Sequence, residues 1–222
     1  MTSARVARVP TGIKLLYSAF VAVVVPYYWV TYTPWNFLYF CDIALLVTLA
    51  GMWLENPFLI STQAVGIALP QMLWVVDFVA RLVAGVHITG MTSYMFDANL
   101  PLFVRGLSSF HGWLPFLLIW LVARLGYDRR AFGAQCVLGV VVLLACYLVA
   151  PAPPPDPIHP SAAVNINYVY GLDDHHPQTW MPPVLWVISL IGFMLIGLYL
   201  PAHAGFSRLF AASGGERAVS KG

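Results

Sequence analysis

The stretch AFGAQCVLGVVVLLACYLVA, residues 131–150, runs for a full membrane thickness without a single charge. At about 1.5 Å of rise per residue it forms a helix about 30 Å long, the depth of a bilayer's hydrocarbon core. Comparable apolar runs lie near residues 13–31, 35–54, 57–80, 107–125 and 183–203. Composition agrees: 60% of the 222 residues are hydrophobic, 9% are charged, and the mean hydropathy is +0.77. A soluble domain of this size cannot hide that much apolar surface. The sequence predicts an all-α, polytopic integral membrane protein: one bundle of six transmembrane helices over residues 1–206, with a cytoplasmic tail over 207–222. Arg5 and Arg8 precede the first run as they would in a signal peptide. No small-x-small cleavage site follows, so this run is expected to be a retained span.

Orientation follows from the basic residues. With both termini and the even-numbered turns placed inside, Arg5, Arg8, Lys14, Arg124, Arg129, Arg130, Arg208, Arg217 and Lys221 fall on the cytoplasmic side, and only Arg81 and Arg105 fall outside. This bias predicts an N-in, C-in protein of a bacterial inner (cytoplasmic) membrane. Trp29, Trp35, Trp113 and Trp180 fall near outer helix ends, where an indole is comfortable at either interface. The net charge of +2 forms no basic face, which argues against a nucleic-acid partner. Cys41, Cys136 and Cys146 all lie in apolar runs and suggest neither a disulfide framework nor a zinc site.

Two segments, 81–106 and 151–182, are expected outside. The second opens with Pro151, Pro153, Pro154 and Pro155 and continues through an alternating Val164–Tyr170 stretch that predicts a short extended lid. It then reaches Asp173, Asp174, His175 and His176, which offer an alternative metal-binding set against the simpler reading of a solvated loop end.

Polar side chains inside apolar runs are costly and mark function by default. Asn36, Cys41 and Asp42 open the second run, Gln63, Gln71, Asp77 and Arg81 lie along the third, and Ser108, Ser109 and His111 begin the fourth. Alternating helix direction brings Cys41, Asp42, Asp77, Arg81 and His111 to similar depths near the outer interface. Asp77 and Arg81, four residues apart, read first as an ion pair. Gln63 and Gln71 read as interhelical hydrogen-bonding groups. Asp42 is open to three roles: orienting His111, pairing with Arg81, or holding a metal. His87, His159 and His203 lack convergent partners, and Cys136 and Cys146 read as packing residues. Cys41 stands apart, because an imidazole reaching it from another helix would make the thiol a nucleophile able to carry an acyl group.

The stretch Leu38–Leu45 around Cys41-Asp42, followed some seventy residues later by Phe110-His111-Gly112, resembles the YwaF-like family of bacterial integral membrane proteins. The resemblance spans about residues 35–125. That family has eukaryotic lipid acyltransferase relatives and more distant kin among the androgen-induced hydrolases, so the resemblance implies Cys41 as nucleophile and His111 as the accompanying histidine. The resulting expectation is a membrane-embedded enzyme that transfers or cleaves a lipid acyl ester near the outer leaflet. Asp42 or Asp77 would orient the imidazole, Arg81, Gln71 and Asn36 would bind substrate, and backbone amides near Ser108 and Ser109 would hold the oxyanion. No cofactor is expected, and the partner is a membrane lipid, with a protein partner or homo-oligomer left open. The alternative is a non-enzymatic membrane scaffold or accessory subunit that docks a partner through the aromatic outer loop.

Overall fold

The computed structural model describes residues 8–219, with side chains through residue 210. The described chain is helical, without strands: α1 (Thr11–Thr31), α2 (Phe40–Trp53), α3 (Pro57–Ala84), α4 (Leu102–Ser108), α5 (Phe110–Leu125), α6 (Ala131–Val149), α7 (Pro183–Gly192) and α8 (Leu200–Val219). A π-helical stretch, Phe193–Tyr199, joins α7 to α8, and α4 leads into α5 with only Ser109 between them. Five segments are long and apolar enough to cross a membrane: Thr11–Thr31, Pro57–Ala84, Leu102–Leu125, Ala131–Val149 and Pro183–Phe210. They carry exposed apolar side chains such as Val83, Val137, Leu148 and Ile196, which water would disfavour and lipid accepts. The chain is thus a multi-pass membrane protein built as a helical bundle.

The run at 35–54 departs from expectation. Its helix, α2, has 14 residues, about 21 Å of rise against about 30 Å of hydrocarbon. The cause is local. Pro34 starts a 3-10 turn over Pro34–Leu38, and Tyr39 then takes an extended conformation (ψ 135°), so the turn and α2 cannot merge. The gap before α2 is filled by the loop between α6 and α7, where Asn167 Nδ2 donates to Leu38 O at 2.8 Å and Phe40 N donates to Asn167 Oδ1 at 3.1 Å. Irregular backbone at this depth is tolerated because protein groups satisfy it.

That loop is folded down onto the bundle, and not as the extended segment its alternation predicts. Ile166–Tyr168 forms a 3-10 turn, with Asn165 (φ 49°), Asn167 (φ 56°) and Tyr168 (φ 63°) left-handed. Asparagine adopts this region more readily than most residues, and both asparagines hold their turn with side-chain bonds. Asn165 Nδ2 donates to Gly171 O at 2.9 Å while its Oδ1 accepts from Tyr170 N at 2.9 Å. Ala163 N donates to Tyr32 O at 3.0 Å, and Tyr39 Oη to Val164 O at 3.2 Å. Val164, Ile166 and Val169 are buried.

Helix α3 is the hub, packing against α2, α5, α6 and α8. It starts sharply because Asn56 Oδ1 accepts from Phe58 N at 2.9 Å and Leu59 N at 3.3 Å, with Pro57 in the first position. It stops at Gly85, whose φ of 73° suits glycine. Near the α2–α3 turn, a Cβ on Gly51 would lie 2.7 Å from Ile60 Cδ1, so the Ile60 side chain packs directly on the α2 backbone there. At the same end Lys14 Nζ donates to Glu55 Oε1 at 2.8 Å.

The histidines expected to stand alone do not all do so. His203 Nδ1 lies 2.7 Å from Tyr127 Oη and its ring stacks on Phe132, while His87 turns back to Asp77. The tail predicted from residue 207 continues as helix to Val219, whereas Arg5 and Lys221 lie outside the described residues.

Candidate active site

Several of the polar groups marked by the sequence lie near where α2, α3 and the α4–α5 junction meet. Asn36, in the 3-10 turn, donates through Nδ2 to Asp42 Oδ2 at 2.8 Å. Asp42 is only 2% exposed, and its Oδ1 has no partner among the described residues. None of the three roles open to Asp42 in the sequence is what this geometry displays: its bond partner is Asn36. Cys41 is half-buried in the first turn of α2.

Across from it, His111 is clamped. Its Nδ1 lies 2.8 Å from Ser108 O, and its ring stacks on Trp74 (centroids 5.7 Å apart, 24° between planes) and lies 4.1 Å from Phe110. A carbonyl can only accept, so Nδ1 carries the hydrogen and Nε2 keeps its lone pair in the neutral ring. Tyr28 Oη lies 3.4 Å from Ser108 Oγ, within electrostatic reach of both Cys41 and Asp42. From the loop after α3, Tyr94 Oη accepts from Trp74 Nε1 at 3.2 Å. Burial pushes the Tyr94 phenol up from its ordinary value, and neighbouring Cys41 adds to the effect. His111 is tied to Ser108 and Trp74, Cys41 heads α2 beside Asp42, and no hydrogen bond joins the two among the described residues.

Gln71 is 3% exposed, and neither Oε1 nor Nε2 finds a partner among the described residues. Its depth follows from two contacts. Cys41 is ten residues from Gly51 toward the start of α2, and Gln71 eleven from Ile60, the neighbour of Gly51, toward the end of α3, about 15 and 16.5 Å respectively. Gln71 is also three residues, about 4.5 Å, inward of Trp74, the residue that stacks on His111. The amide therefore lies within one helical turn of both the thiol and the imidazole in depth.

Asp77 serves a different structure. Its Oδ1 accepts from Ile88 N (2.7 Å), Thr89 N (2.6 Å) and Gly90 N (3.2 Å), and its Oδ2 from Thr92 N (3.1 Å) and Thr92 Oγ1 (2.5 Å), with His87 Nδ1 at 3.3 Å. Both oxygens are consumed in winding residues 87–92 around a 0% exposed carboxylate. The expected Asp77–Arg81 ion pair does not form. Arg81 instead donates to Gly85 O and lies over the Phe96 ring. It lies in the last turn of α3.

Among the described residues, no group of three or more His, Cys, Asp or Glu side chains is placed to hold a metal ion. His175 and His176 are exposed; His176 Nδ1 lies 3.1 Å from Asp173 Oδ2, while Asp174 accepts from Asn165. Sequence reasoning passed over Tyr28, Trp74, Tyr94 and Asn167. Only Trp74 left a usable signal, a position one turn beyond Gln71 on the same face. No family model, curated protein or solved structure matches this chain.

Proposed function

We propose that the protein is a bacterial inner-membrane enzyme that transfers or cleaves the acyl ester of a lipid in the outer half of the bilayer, with Cys41 as nucleophile and His111 as general base. The observation that carries this reading is the clamped imidazole. Ser108 O fixes the tautomer, Trp74 fixes the ring, and Nε2 is left unprotonated with its lone pair available. The resemblance to the YwaF-like family points to the same two residues. His111 takes the thiol proton, Cys41 attacks the ester carbonyl, and the acyl group passes through a thioester to water or to a second alcohol. The orienting acceptor is Ser108 O, since Asp42 is engaged by Asn36 and Asp77 by its loop. The plug formed by Val164–Val169 limits water entry from above.

In this reading the chain crosses six times with both termini inside. The Pro34–Leu38 turn and α2 together make the second crossing, because α2 descends to the tight turn at Leu54–Asn56 from which α3 rises. The basic ends of α5 and the charges at Lys14, Arg129 and Arg130 then share the inner side.

The test is labelling of the detergent-solubilised protein with a lipid-like activated ester, comparing wild type with Cys41→Ala and His111→Ala. Labelling lost in both variants, with unchanged thermal unfolding, is the expected result. Equal labelling in all three proteins would sink the enzyme reading.

A scaffold or accessory subunit is favoured by a separate observation. Ile158, Leu172 and Trp180 stand 81%, 79% and 69% exposed on the outer loop, as a docking surface would. Under that reading Cys41→Ala changes nothing, whereas Trp180→Ala abolishes partner capture.

A further inference from the structure

We infer that Gln71 is the donor that holds the substrate's carbonyl oxygen as it becomes an oxyanion, an inference that rests on the acyl-transfer reading. The backbone amides expected for this task are already used. Ser108 is the last residue of α4, Ser109 N donates to Gly106 O at 3.2 Å, and the helical path continues into α5. Gln71 is the opposite case: a carboxamide sealed from solvent with no partner for either of its polar atoms. An unpaired buried amide costs about 1–3 kcal/mol, which an apolar residue at the same position avoids. Its depth, level with Cys41 and one turn inward of the Trp74–His111 stack, places it on the helix that touches both α2 and α5.

The chemistry balances as follows. The thiol proton moves to His111 Nε2, the sulfur forms a bond to the ester carbonyl carbon, and the C=O π pair moves onto oxygen, where Gln71 Nε2–H receives it. When the pair returns, the C–O bond to the alcohol breaks and the alcohol leaves with the proton from His111. Gln71 Oε1 stays free to accept a donor group of the substrate. The ligand class is therefore an oxygen ester whose acyl chain lies in the outer leaflet, and Gln71 is a catalytic residue of this site.

The experiment uses the full-length protein in detergent with two probes: a medium-chain p-nitrophenyl ester, which must pass through an oxyanion, and an alkyl haloacetamide, which displaces halide without one. Gln71→Leu is expected to slow acylation by about 10²–10³-fold, while haloacetamide alkylation of Cys41 proceeds as in wild type and thermal unfolding is unchanged or higher. Acylation of the variant at the wild-type rate overturns the assignment, as does a parallel loss with both probes, which marks a packing role. A wild-type protein that is alkylated at Cys41 but never acylated removes the acyl-transfer reading itself, an outcome distinct from either.

Discussion

Asn167 and Phe40, 127 residues apart in sequence, are joined by a 3.1 Å hydrogen bond in which the first amide of α2 donates to the asparagine side chain. With Asn167 Nδ2 donating to Leu38 O, one side chain supplies the cap that the sequence around α2 lacks. Replacing it strands a donor and an acceptor in a low-dielectric setting and forces another residue into a left-handed backbone. Asn167→Leu is expected to lower stability by about 2–4 kcal/mol, read as a fall in thermal midpoint together with faster amide exchange over 38–42. Unchanged exchange there would contradict the cap.

Asp77→Asn preserves shape but turns an acceptor into a donor facing donors. Residues 87–92 should then lose hydrogen-exchange protection, with a cost of at least about 2 kcal/mol. Protection equal to wild type at Thr89 and Thr92 would show that the carboxylate does not organise the loop.

Glu55, in the α2–α3 turn, is held below the usual carboxylate range chiefly by the hydrogen bond from Lys14. A depressed carboxylate contributes stability above its unfolded pKa and loses it as pH falls through the folded value. The thermal midpoint of the wild type should therefore drop on acidification below about pH 4.3. Glu55→Gln should start lower at neutral pH and fall less steeply. Superimposable profiles for the two proteins would remove the pair from the stability of this turn.

Gly51→Val tests the close approach on which the depth of Cys41 and Gln71 depends. The added Cβ meets Ile60 Cδ1 at 2.7 Å and Leu59 Cβ at 3.3 Å, so the Ile60 side chain or α2 must shift. A loss of about 1–3 kcal/mol is expected. Pairing it with Ile60→Ala should restore part of that loss, whereas additive losses would argue that the contact is loose.

The apolar runs were legible because hydrocarbon thickness sets both their length and their lack of charge; α1, α3 and α6 lie close to where composition puts them. The shortness of α2 was not, since apolar content is blind to a backbone turn whose cap comes from Asn167. The expectation that Cys41 and His111 approach each other came from alternating helix direction alone. Partner choice did not. The i, i+4 spacing of Asp77 and Arg81 suggested a pair, yet five donors from residues 88–92 outcompete one exposed guanidinium. Asp42 likewise answers to Asn36, a neighbour brought back by the 3-10 turn.

The short α2 also bears on how the molecule is made. Synthesis proceeds from the N-terminus, so α1, α2 and α3 leave the ribosome before residues 163–170 exist. Until α6 is made and the segment behind it folds back, the start of α2 has no cap, and Phe40 N–H and Leu38 C=O lack the partner that Asn167 supplies. The newborn half-protein is therefore an open vessel. Its stopper arrives only after α6, and any chain released before residue 167 should be cleared by membrane proteases instead of accumulating.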